Sequence, residues 1–429
     1  MSVVASRVED MTISDELPAT AGECVAMLEE LEALKSHLAA RQARLTAHLD
    51  DLQPDASDRS VGAQVALARH ESPHRGGRLL AMACTLVDDL PHVLAALDDG
   101  LINEHRAEIL ASEADHVHSA LRSDYDTALG ELLATGAPLG DRALRLAAQR
   151  IAMRLDDHAA TRRRERAHRN RHLTSWRRDD GTTQITAIVS DVYASAIMQS
   201  LHQRAAQLKT QPDEDRSTSQ IVADLFVSRL TGQMTATATP VAINLVISAE
   251  TLLGNGPDAD EPAEIVPMYG GAGGPIPASV ARKLITCAPE MGTRIRRLFA
   301  DTDQLVAMES TSRTFDGLLR QFITLRDRTC RTPWCNAAIA QHDHITPDHA
   351  GGPTSTPNGQ GLCTACNQLK EEPGWTHTAL HHHDLDPHEV QITSPAGQTA
   401  RSRAPDPPGR IPPEPTWVEQ SPGHWVLSA

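Results

Sequence analysis

Two closely spaced pairs of cysteines near the C-terminal end constrain the fold of this chain more than any other feature. Four residues separate Cys330 from Cys335, two separate Cys363 from Cys366, and 27 residues lie between the pairs. Such pairs are typical of a tetrahedral zinc site with four thiolate ligands. We therefore predict a structural zinc ion, since a site with four protein ligands has no open position for a substrate. The alternative is a set of buried or accidental cysteines.

The other three cysteines, Cys24, Cys84 and Cys287, are scattered in apolar surroundings. One clustered set and three isolated thiols favour a reducing compartment over a disulfide framework. The N-terminus has no basic segment followed by an apolar run, and no stretch approaches the ~20 apolar residues of a membrane span. We therefore expect a cytoplasmic protein with no signal peptide and no membrane partner.

The length of 429 residues favours two or three domains over a single core. Aromatic residues make up only 3% of the chain, so Ala and Leu must fill the cores, which favours packed helices. The predicted fold is mainly α with a smaller α+β part. Its segments are a disordered N-terminus (1–20), an all-helical domain (21–171), a mixed α/β middle region (172–312), a zinc-stapled domain (313–393) and an extended or disordered Pro-rich tail (394–429).

The first predicted helix, Glu23–Asp50, has leucine residues at helical spacing. Leu31, Leu38 and Leu45 are seven residues apart, which predicts a helix with one apolar face. We expect this face to be buried in the helical domain of the same chain. A short coiled coil with a partner helix is the alternative.

Arginine is concentrated at the end of the helical domain. Eight arginines lie between Arg162 and Arg178, and Glu165 is the one acidic residue among them. Such a run could neutralise phosphates of a nucleic acid; the alternative is a solvated face that offsets the acidic remainder of the domain. The formal net charge of −16 argues against nucleic-acid binding by the whole surface but leaves a local basic groove open.

The hydrophobic period changes after the arginine run. His172–Arg178 and Thr182–Val189 alternate as strands do, on either side of an Asp-Gly turn signal, which predicts a hairpin. Val241–Ser248 is the most strand-like run in the chain. Helices are predicted for Asp191–Leu208 and for Arg313–Arg326, which leads into the first cysteine pair.

A second group of polar residues lies between and beside the cysteine pairs. Asp343 and His344 are adjacent, Asn358 lies fourteen residues beyond His344, and Asn367 lies nine residues further, directly after the last cysteine. This pattern resembles the HNH endonuclease motif of the ββα-metal nucleases. In this chain it comprises Asp343-His344-Ile345-x-Pro347, Gly351-Gly352, Asn358 and Leu362-Cys363-x-x-Cys366-Asn367-x-x-Lys370.

The resemblance implies a role for each polar residue of the motif. His344 would be the general base that takes a proton from the attacking water, since imidazole has an unperturbed pKa of about 6.5. Asp343 and Asn367 would be oxygen ligands of one catalytic Mg²⁺ or Mn²⁺ ion. Asn358 would fix the loop and orient His344. The four cysteines would join the two halves of the site through zinc.

The chain departs from the family pattern at two positions. Many HNH sites have histidine where this chain has Asn367, a neutral ligand, and a large apolar residue where it has Gly359. Four cations beside the motif are expected to contact phosphates on the basis of their charge alone. These are Arg326, Arg328, Arg331 and Lys370.

Several segments outside the motif resemble the actinobacterial 13E12-repeat family. They read VGAQVALA, SPHRGGRLLAMA, LVDDLPHVLAALDDG, SQIVADLFVSRLTG and LRDRTCRTPWC. Members of that family pair an N-terminal helical domain of unknown function with a C-terminal HNH nuclease domain. The resemblance covers most of the chain and supports the same division here.

The resemblance implies a metal-dependent endonuclease that hydrolyses DNA phosphodiester bonds. Zinc would be its structural cofactor, magnesium or manganese its catalytic cofactor, and DNA its partner. A homodimer would suit cleavage of both strands, because each chain has one site. Two alternatives remain open. One is a non-catalytic zinc-containing nucleic-acid-binding protein with a degenerate HNH domain; the other is a scaffold whose main interface is the helical domain.

Overall fold

The computed structural model describes residues 17–428 with gaps. The gaps are residues 137, 157, 179, 181, 212–213, 233–243, 255–258, 267–273, 287–299, 302–303, 306–313, 381–387, 407–415 and 422–423. The chain divides into two compact units. Unit 1 holds the described residues up to Arg171 together with Glu371–Trp375 and Ser394–Gln398, and unit 2 holds the remainder.

Helices with short connections build unit 1, and its described residues contain no strand. The α-helices are α1 (Ala21–Asp51), α2 (Asp58–Arg69), α3 (Pro73–Cys84), α4 (Pro91–Asp98), α5 (Glu104–Ala114), α6 (Arg122–Ala134), α7 (Asp141–Leu155) and α8 (Ala159–Arg169). A π-helical turn, Thr85–Asp89, continues α3, and a 3₁₀ turn, Ser119–Leu121, precedes α6.

Local chemistry sets the helix starts. Thr20 and Glu23 form a capping box at the start of α1. Ser72 Oγ accepts a hydrogen bond from the backbone N–H of Arg75 at 3.2 Å, and Pro73 occupies the first helical position of α3. These residues satisfy backbone donors that a helix start otherwise leaves without partners.

Small residues let the helices of unit 1 approach closely. A Cβ atom added to Gly76 would lie 2.1 Å from the carbonyl oxygen of Gly62, and one added to Gly62 would lie 2.8 Å from the Cα of Gly77. Helices α2 and α3 therefore cross with their backbones in contact. The core around them consists mainly of alanine, leucine, valine and isoleucine, with Tyr125 as its one aromatic side chain among the described residues.

The buried face of α1 differs from the leucine face that the sequence predicts to be buried. The buried residues of α1 are small: Ser36, Ala39, Ala40, Ala43, Thr46 and Ala47. The leucines at positions 38 and 45 are 46% and 60% exposed, and Leu31 is half-buried. The expectation that this leucine series is buried in the same chain is therefore wrong. Alanine allows α1 to lie close to α3 and α4, and the leucines are left on its outer side.

Unit 2 contains small antiparallel sheets and short helices. They are β1 (His172–Arg177), β2 (Thr183–Ile188), α9 (Asp191–Lys209), α10 (Thr218–Thr231), β3 (Asn244–Val246), α11 (Ala249–Leu253), β4 (Ala263–Val266), β5 (Gly274–Ile276), α12 (Ala278–Thr286), β6 (Ala300–Asp301), β7 (Gln304–Leu305), α13 (Gly317–Asp327), β8 (Gln341–His344), β9 (Gly359–Leu362), α14 (Thr364–Lys370), β10 (Thr376–Ala379), β11 (Glu389–Thr393), β12 (Thr399–Arg403), β13 (Thr416–Ser421) and β14 (His424–Ser428). The sheet orders are β1-β2, β3-β4-β5, β6-β7, β8-β9, β10-β11-β12 and β13-β14.

The predicted hairpin after the arginine run is confirmed, because β1 pairs antiparallel with β2 from His172↔Ile188 to Arg177↔Thr183. Strand β3 covers only part of the predicted run 241–248, whose first three residues lie outside the described part of the chain. The prediction of a mainly helical chain with a smaller α+β part is confirmed.

The tail differs from its prediction. Strand β12 pairs with β11 from Glu389↔Arg403 to Thr393↔Thr399, so the sheet continues past residue 393. Val390 and Ile392 of β11 are buried, and the turn at residues 394–398 returns the chain. The described residues from 416 onward form a further hairpin, β13-β14. An extended or disordered tail from residue 394 is therefore not what these residues form.

Candidate functional site

Two strands and a helix carry the polar residues of the motif. Strand β8 pairs antiparallel with β9 from Gln341↔Leu362 to His344↔Gly359, and α14 begins two residues after β9 ends. Helix α14 packs against β8. Asp343 and His344 lie on β8, Asn358 immediately precedes β9, and Asn367 lies on α14. The order of elements is therefore strand, strand, helix.

The four cysteines converge, as predicted. Their sulfur atoms all lie within 4.8 Å of one another, with 3.7 Å between Cys366 and Cys335 and 4.0 Å between Cys335 and Cys363. A regular tetrahedron with metal–sulfur bonds of about 2.3 Å separates its sulfurs by about 3.8 Å. The cluster could therefore hold a metal ion such as zinc.

Backbone geometry shapes the first cysteine pair into a knuckle. The N–H of Cys330 donates to the carbonyl of Ala337 at 2.9 Å, and that of Cys335 donates to Thr332 at 3.0 Å. Trp334 has a φ of 59°, a left-handed conformation that turns the chain back toward Cys335. Cys366 joins this pair from α14, so the cluster connects the segment before β8 with the helix after β9.

Asp343 is held from two sides. Its Oδ2 accepts a hydrogen bond from Lys370 Nζ at 2.6 Å, and its Oδ1 accepts one from the backbone N–H of His344 at 2.8 Å. The Asp343 side chain is 25% exposed, whereas that of Lys370 is 5% exposed. The carboxylate is therefore accessible to solvent, while the ammonium group that neutralises it is enclosed.

The His344 ring has a fixed environment. Its Nε2 lies 2.9 Å from Thr354 Oγ1, and its Nδ1 lies 3.9 Å from Asp343 Oδ1. The ring of Phe315 packs against it, with centroids 4.6 Å apart and planes tilted by 55°. The Thr354 hydroxyl and the Phe315 ring together limit rotation of the imidazole, whose Nδ1 faces the Asp343 carboxylate.

Asn358 fixes the loop between β8 and β9. Its Oδ1 accepts from the N–H of Thr346 at 2.8 Å, and its Nδ2 donates to the carbonyls of Thr346 and Pro353, both at 2.9 Å. Gly352 completes this arrangement, because a Cβ there would lie 1.8 Å from the Thr346 carbonyl oxygen. Asn358 therefore acts on the loop that carries Thr354 and, through it, on His344.

The side-chain oxygen of Asn367 is buried and accepts no hydrogen bond within the described part of the chain. An unmet buried acceptor costs roughly 1–3 kcal/mol. Asn367 projects from α14, the same helix that carries Lys370 to Asp343. Amide and carboxylate oxygens are the ligands that hard divalent cations prefer, so Asp343 and Asn367 fit such an ion chemically.

Two arginines expected to contact phosphates are instead buried around Asp327. Arg326 donates to Asp327 Oδ1 at 2.7 Å and to the carbonyls of Thr356 and Gly359, both at 2.7 Å. Arg331 is 3% exposed and donates to the carbonyl of His388 at 3.0 Å. The expectation of phosphate contact is therefore not met for Arg326 and Arg331, because protein oxygens already surround both guanidinium groups.

Asp327 is the centre of this buried network. Its Oδ2 accepts a hydrogen bond from the N–H of Gly361 on β9 at 2.7 Å. Burial by itself raises the pKa of Asp327, but the charges of Arg326 and Arg331 outweigh it and lower the pKa overall. Burial lowers the pKa of Arg331 to about 10, although the Asp327 carboxylate opposes this shift. The network fastens α13 to β9.

The other two predicted phosphate contacts also have protein partners. Arg328 pairs with Glu264 Oε2 at 2.5 Å and donates to the carbonyl of Asp406 at 2.7 Å. Burial lowers its pKa, against the opposing charge of Glu264. Lys370 is enclosed against Asp343. Neither side chain presents an open cationic surface.

The residue pattern does not predict which side chains fill the space beside Gly359. A Cβ on Gly359 would lie 2.4 Å from Ile323 Cδ1 and 2.7 Å from Phe315 Cε1. A large apolar residue is usual at this position. Here Ile323 of α13 and Phe315, which precedes α13, occupy the space that such a side chain would fill. Thr354 and Asp327 were missed as well; the signal for Asp327 is an acidic residue between closely spaced arginines in the run LRDR.

The arginine run at the end of unit 1 is partly engaged within that unit. Arg162 pairs with Asp156 and donates to the carbonyl of His116 at 3.2 Å. Arg166 pairs with Asp115 at 2.8 Å. Arg164 and Arg169 are exposed on α8. Both interpretations of the run are compatible with these positions.

Among the helices of the described chain, none alone is long and apolar enough to cross a membrane. One pair bent by 109°, Pro73–Asp89 with Pro91–Asp98, passes the test of length and composition when the two are taken together.

The chain matches a protein family over most of its length. The family model described as "Domain of unknown function (DUF222)" matches residues 25–327. The match ends at the last residue of α13, before the first cysteine of the cluster. No curated protein and no solved structure matches the chain.

Proposed function

Because this chain belongs to the DUF222 family, whose description leaves its activity open, we propose its function from the residues beyond the matched segment: it is an HNH-type endonuclease that hydrolyses DNA phosphodiester bonds with a divalent metal ion. The observation that carries this proposal is the buried Oδ1 of Asn367, which accepts no hydrogen bond among the described residues. It projects from the helix that packs on the strand bearing Asp343 and His344.

The order of elements supports the proposal. An antiparallel hairpin, β8-β9, followed directly by α14 is the arrangement expected of a ββα-metal nuclease, and the residue pattern falls on these elements as the resemblance implies. The cysteine cluster connects the entry of this unit to its helix, which suits a structural zinc ion. The segments outside the motif resemble the 13E12-repeat family, and we propose that the chain is a member of it.

Each polar residue then has a chemical task. His344 accepts the proton of the attacking water at an imidazole whose orientation Thr354 fixes. Asp343 and Asn367 supply oxygen ligands, and Asn358 holds the loop that carries Thr354. A bound Mg²⁺ or Mn²⁺ ion would stabilise negative charge on the scissile phosphate and the leaving oxygen.

A plasmid-nicking assay with Mg²⁺ or Mn²⁺ tests this proposal. The full-length protein is compared with His344→Ala and with His349→Ala, a matched substitution of an exposed histidine in the neighbouring loop. We expect the wild type and His349→Ala to nick the plasmid, and His344→Ala to be slower by about 10²–10⁴-fold. Equal cleavage by wild type and His344→Ala would remove His344 as the base.

A non-catalytic zinc module that binds nucleic acid is the second candidate. The observation that favours it is the Lys370–Asp343 pair, because a cation of the chain itself already neutralises the proposed metal ligand. Titration of the protein with Mn²⁺ separates the two. If the protein is a nuclease, it binds Mn²⁺, and Asp343→Asn lowers that affinity. If it is a binding module, it binds DNA but neither binds Mn²⁺ at this site nor cleaves DNA.

A further inference from the structure

Helix α1 carries an unpartnered stripe of apolar side chains on the side that faces away from the core of unit 1. Within the described residues, Leu38, Leu45 and Leu52 are 46%, 60% and 65% exposed, and Met27 is 37% exposed. Cys24 is also exposed. Positions 24, 31, 38, 45 and 52 repeat at intervals of seven, with Leu52 directly after the last residue of α1, and positions 27 and 34 add a second apolar position in the first two heptads.

The stripe and the buried face of α1 lie on opposite sides of the helix. At 100° per residue, Ala40, Ala43 and Ala47 project roughly opposite to Leu31 and Leu38. The alanines are buried against the other helices of unit 1. The fold of this chain therefore already satisfies one face of α1, and the leucine stripe requires a different occupant.

The first three turns of α1 strengthen this requirement. All residues from 21 to 30 are exposed, so nothing within the described part of the chain covers them. An isolated helix of this length is only marginally stable in water. The capping box at Thr20 starts the helix, but Val25, Met27 and Leu28 remain in solvent. A partner helix alongside would bury them.

The charge pattern beside the stripe fits a second copy of the same helix in parallel. When Leu31 and Leu38 are placed at position a of the heptad, Glu30 falls at g and Lys35 at e of the next heptad. In a parallel coiled coil, residues at g pair with residues five positions further along the partner helix at e. Glu30 of each helix would therefore meet Lys35 of the other, which gives two symmetric ion pairs.

We propose that α1 forms a parallel, in-register coiled coil with α1 of a second chain, through the stripe Cys24, Met27, Leu31, Leu34, Leu38, Leu45 and Leu52. The interface buries the exposed leucines of both copies and orders the projecting first turns. Arg41 and His48 occupy the remaining core positions of the stripe, and polar residues at such positions lower stability while they fix the register.

The first test is the mass of the full-length protein in solution, measured by light scattering after gel filtration. We expect the wild type at twice the chain mass of 46.4 kDa. Leu38→Glu/Leu45→Glu should halve the measured mass, since two charges would face their counterparts in the stripe. Leu101→Glu/Leu146→Glu, which alters two exposed leucines of unit 1 outside the stripe, should remain at the dimer mass. A monomeric wild type, or a dimer that survives Leu38→Glu/Leu45→Glu, would overturn the proposal.

The second test uses Cys24 to establish direction and register. Position a places Cys24 opposite its counterpart only in a parallel, in-register pair, so the oxidant diamide should link the two thiols as a disulfide. We expect a covalent dimer on a non-reducing gel for the wild type and none for Cys24→Ser. A dimer by mass that forms no Cys24-dependent crosslink would exclude the parallel arrangement.

Charge reversal provides a test that does not disturb the apolar residues. Glu30→Lys should place lysine against Lys35 of the partner and raise the dimer dissociation constant about tenfold. Glu30→Lys/Lys35→Glu should return it to the wild-type value. Failure of the double variant to recover would contradict the assigned heptad register.

Discussion

Lys370 Nζ lies 2.6 Å from Asp343 Oδ2, so a cation of the chain itself occupies one oxygen of the carboxylate that we propose as a metal ligand. The lysine side chain is enclosed and the aspartate is partly open to solvent. A divalent ion that approaches from solvent would therefore compete with Lys370 for this carboxylate. The ion pair holds the Asp343 side chain in place when no ion is bound, but it lowers the affinity of this carboxylate for a metal ion.

Replacement of Lys370 by methionine should strengthen metal binding. Methionine keeps much of the apolar stem but removes the competing charge, so Mn²⁺ should bind about tenfold more tightly, as measured by calorimetric titration. Lys370→Arg is the matched control, because it retains a cation at the carboxylate. Unchanged Mn²⁺ affinity in Lys370→Met would mean that Asp343 is not a ligand.

Thr354→Val should reduce cleavage without abolishing it. The substitution removes the hydroxyl 2.9 Å from His344 Nε2 and leaves the side-chain size nearly unchanged. Loss of a partner that orients a catalytic group commonly costs about 10–100-fold in activity. The turnover rate should fall while DNA affinity stays the same, because His344 loses the hydrogen-bond partner that orients its ring. Thr346→Val, in the same loop but exposed, should behave as wild type.

Cys363→Ser should lower both the zinc content and the stability of unit 2. Zinc binding is coupled to folding, so loss of one thiolate ligand removes free energy of folding as well as affinity for the ion. Metal analysis of the purified wild type should give one zinc per chain, and thermal unfolding of the variant should begin at lower temperature. Cys84→Ser, a thiol of unit 1 outside the cluster, should change neither quantity. A Cys363→Ser variant with full zinc content would argue against a four-cysteine site.

Asp327→Asn should destabilise unit 2 strongly at neutral pH. It leaves the guanidinium groups of Arg326 and Arg331 without a counter-charge in a buried position, which typically costs about 3–5 kcal/mol. Asp215→Asn, at an exposed position of the same unit, should have little effect. Denaturant unfolding followed by circular dichroism measures both.

The stability difference between wild type and Asp327→Asn should depend on pH in one direction. The pKa of Asp327 is lower in the folded chain than in the unfolded chain. The carboxylate therefore stabilises the fold fully above its unfolded pKa of about 3.9, and the stabilisation disappears as the pH falls through the lower folded value. The difference in free energy of unfolding between wild type and Asp327→Asn should thus become smaller only at acidic pH. If this difference became smaller between pH 6 and 8 instead, a titrating group other than Asp327 would be responsible for it.

The sequence predicts those features that depend on neighbouring residues. The Ser72-Pro73 start of α3, the hairpin β1-β2 and the convergence of two cysteine pairs all follow from short spacings. The burial of Arg326 and Arg331 does not, because their partners include carbonyls of residues far along the chain, such as Gly359 and His388. Charge alone marks an arginine as a candidate for phosphate and carries no information about a buried aspartate beside it.

The outer position of the α1 leucines could not be predicted for a related reason. Hydrophobicity favours burial of leucine over alanine, but close contact between helix backbones favours the smaller side chain. Which effect prevails depends on the helices that pack against α1, and their distance is a property of the whole unit. Strand β12 of the tail was not predicted because Thr399–Arg403 contains no large apolar side chain and lies in a proline-rich stretch.

Unit 1 is assembled from separate stretches of the chain, which limits how the protein can be dissected. Trp375 lies between α14 and β10 but belongs to unit 1, where its buried indole donates a hydrogen bond to Ser60 Oγ at 2.8 Å. An expression fragment that ends at Arg171 would lack this side chain and expose the site that receives it. The helical part is therefore not a transferable module. A truncation at the family boundary, residue 327, would also remove Trp375 from unit 1.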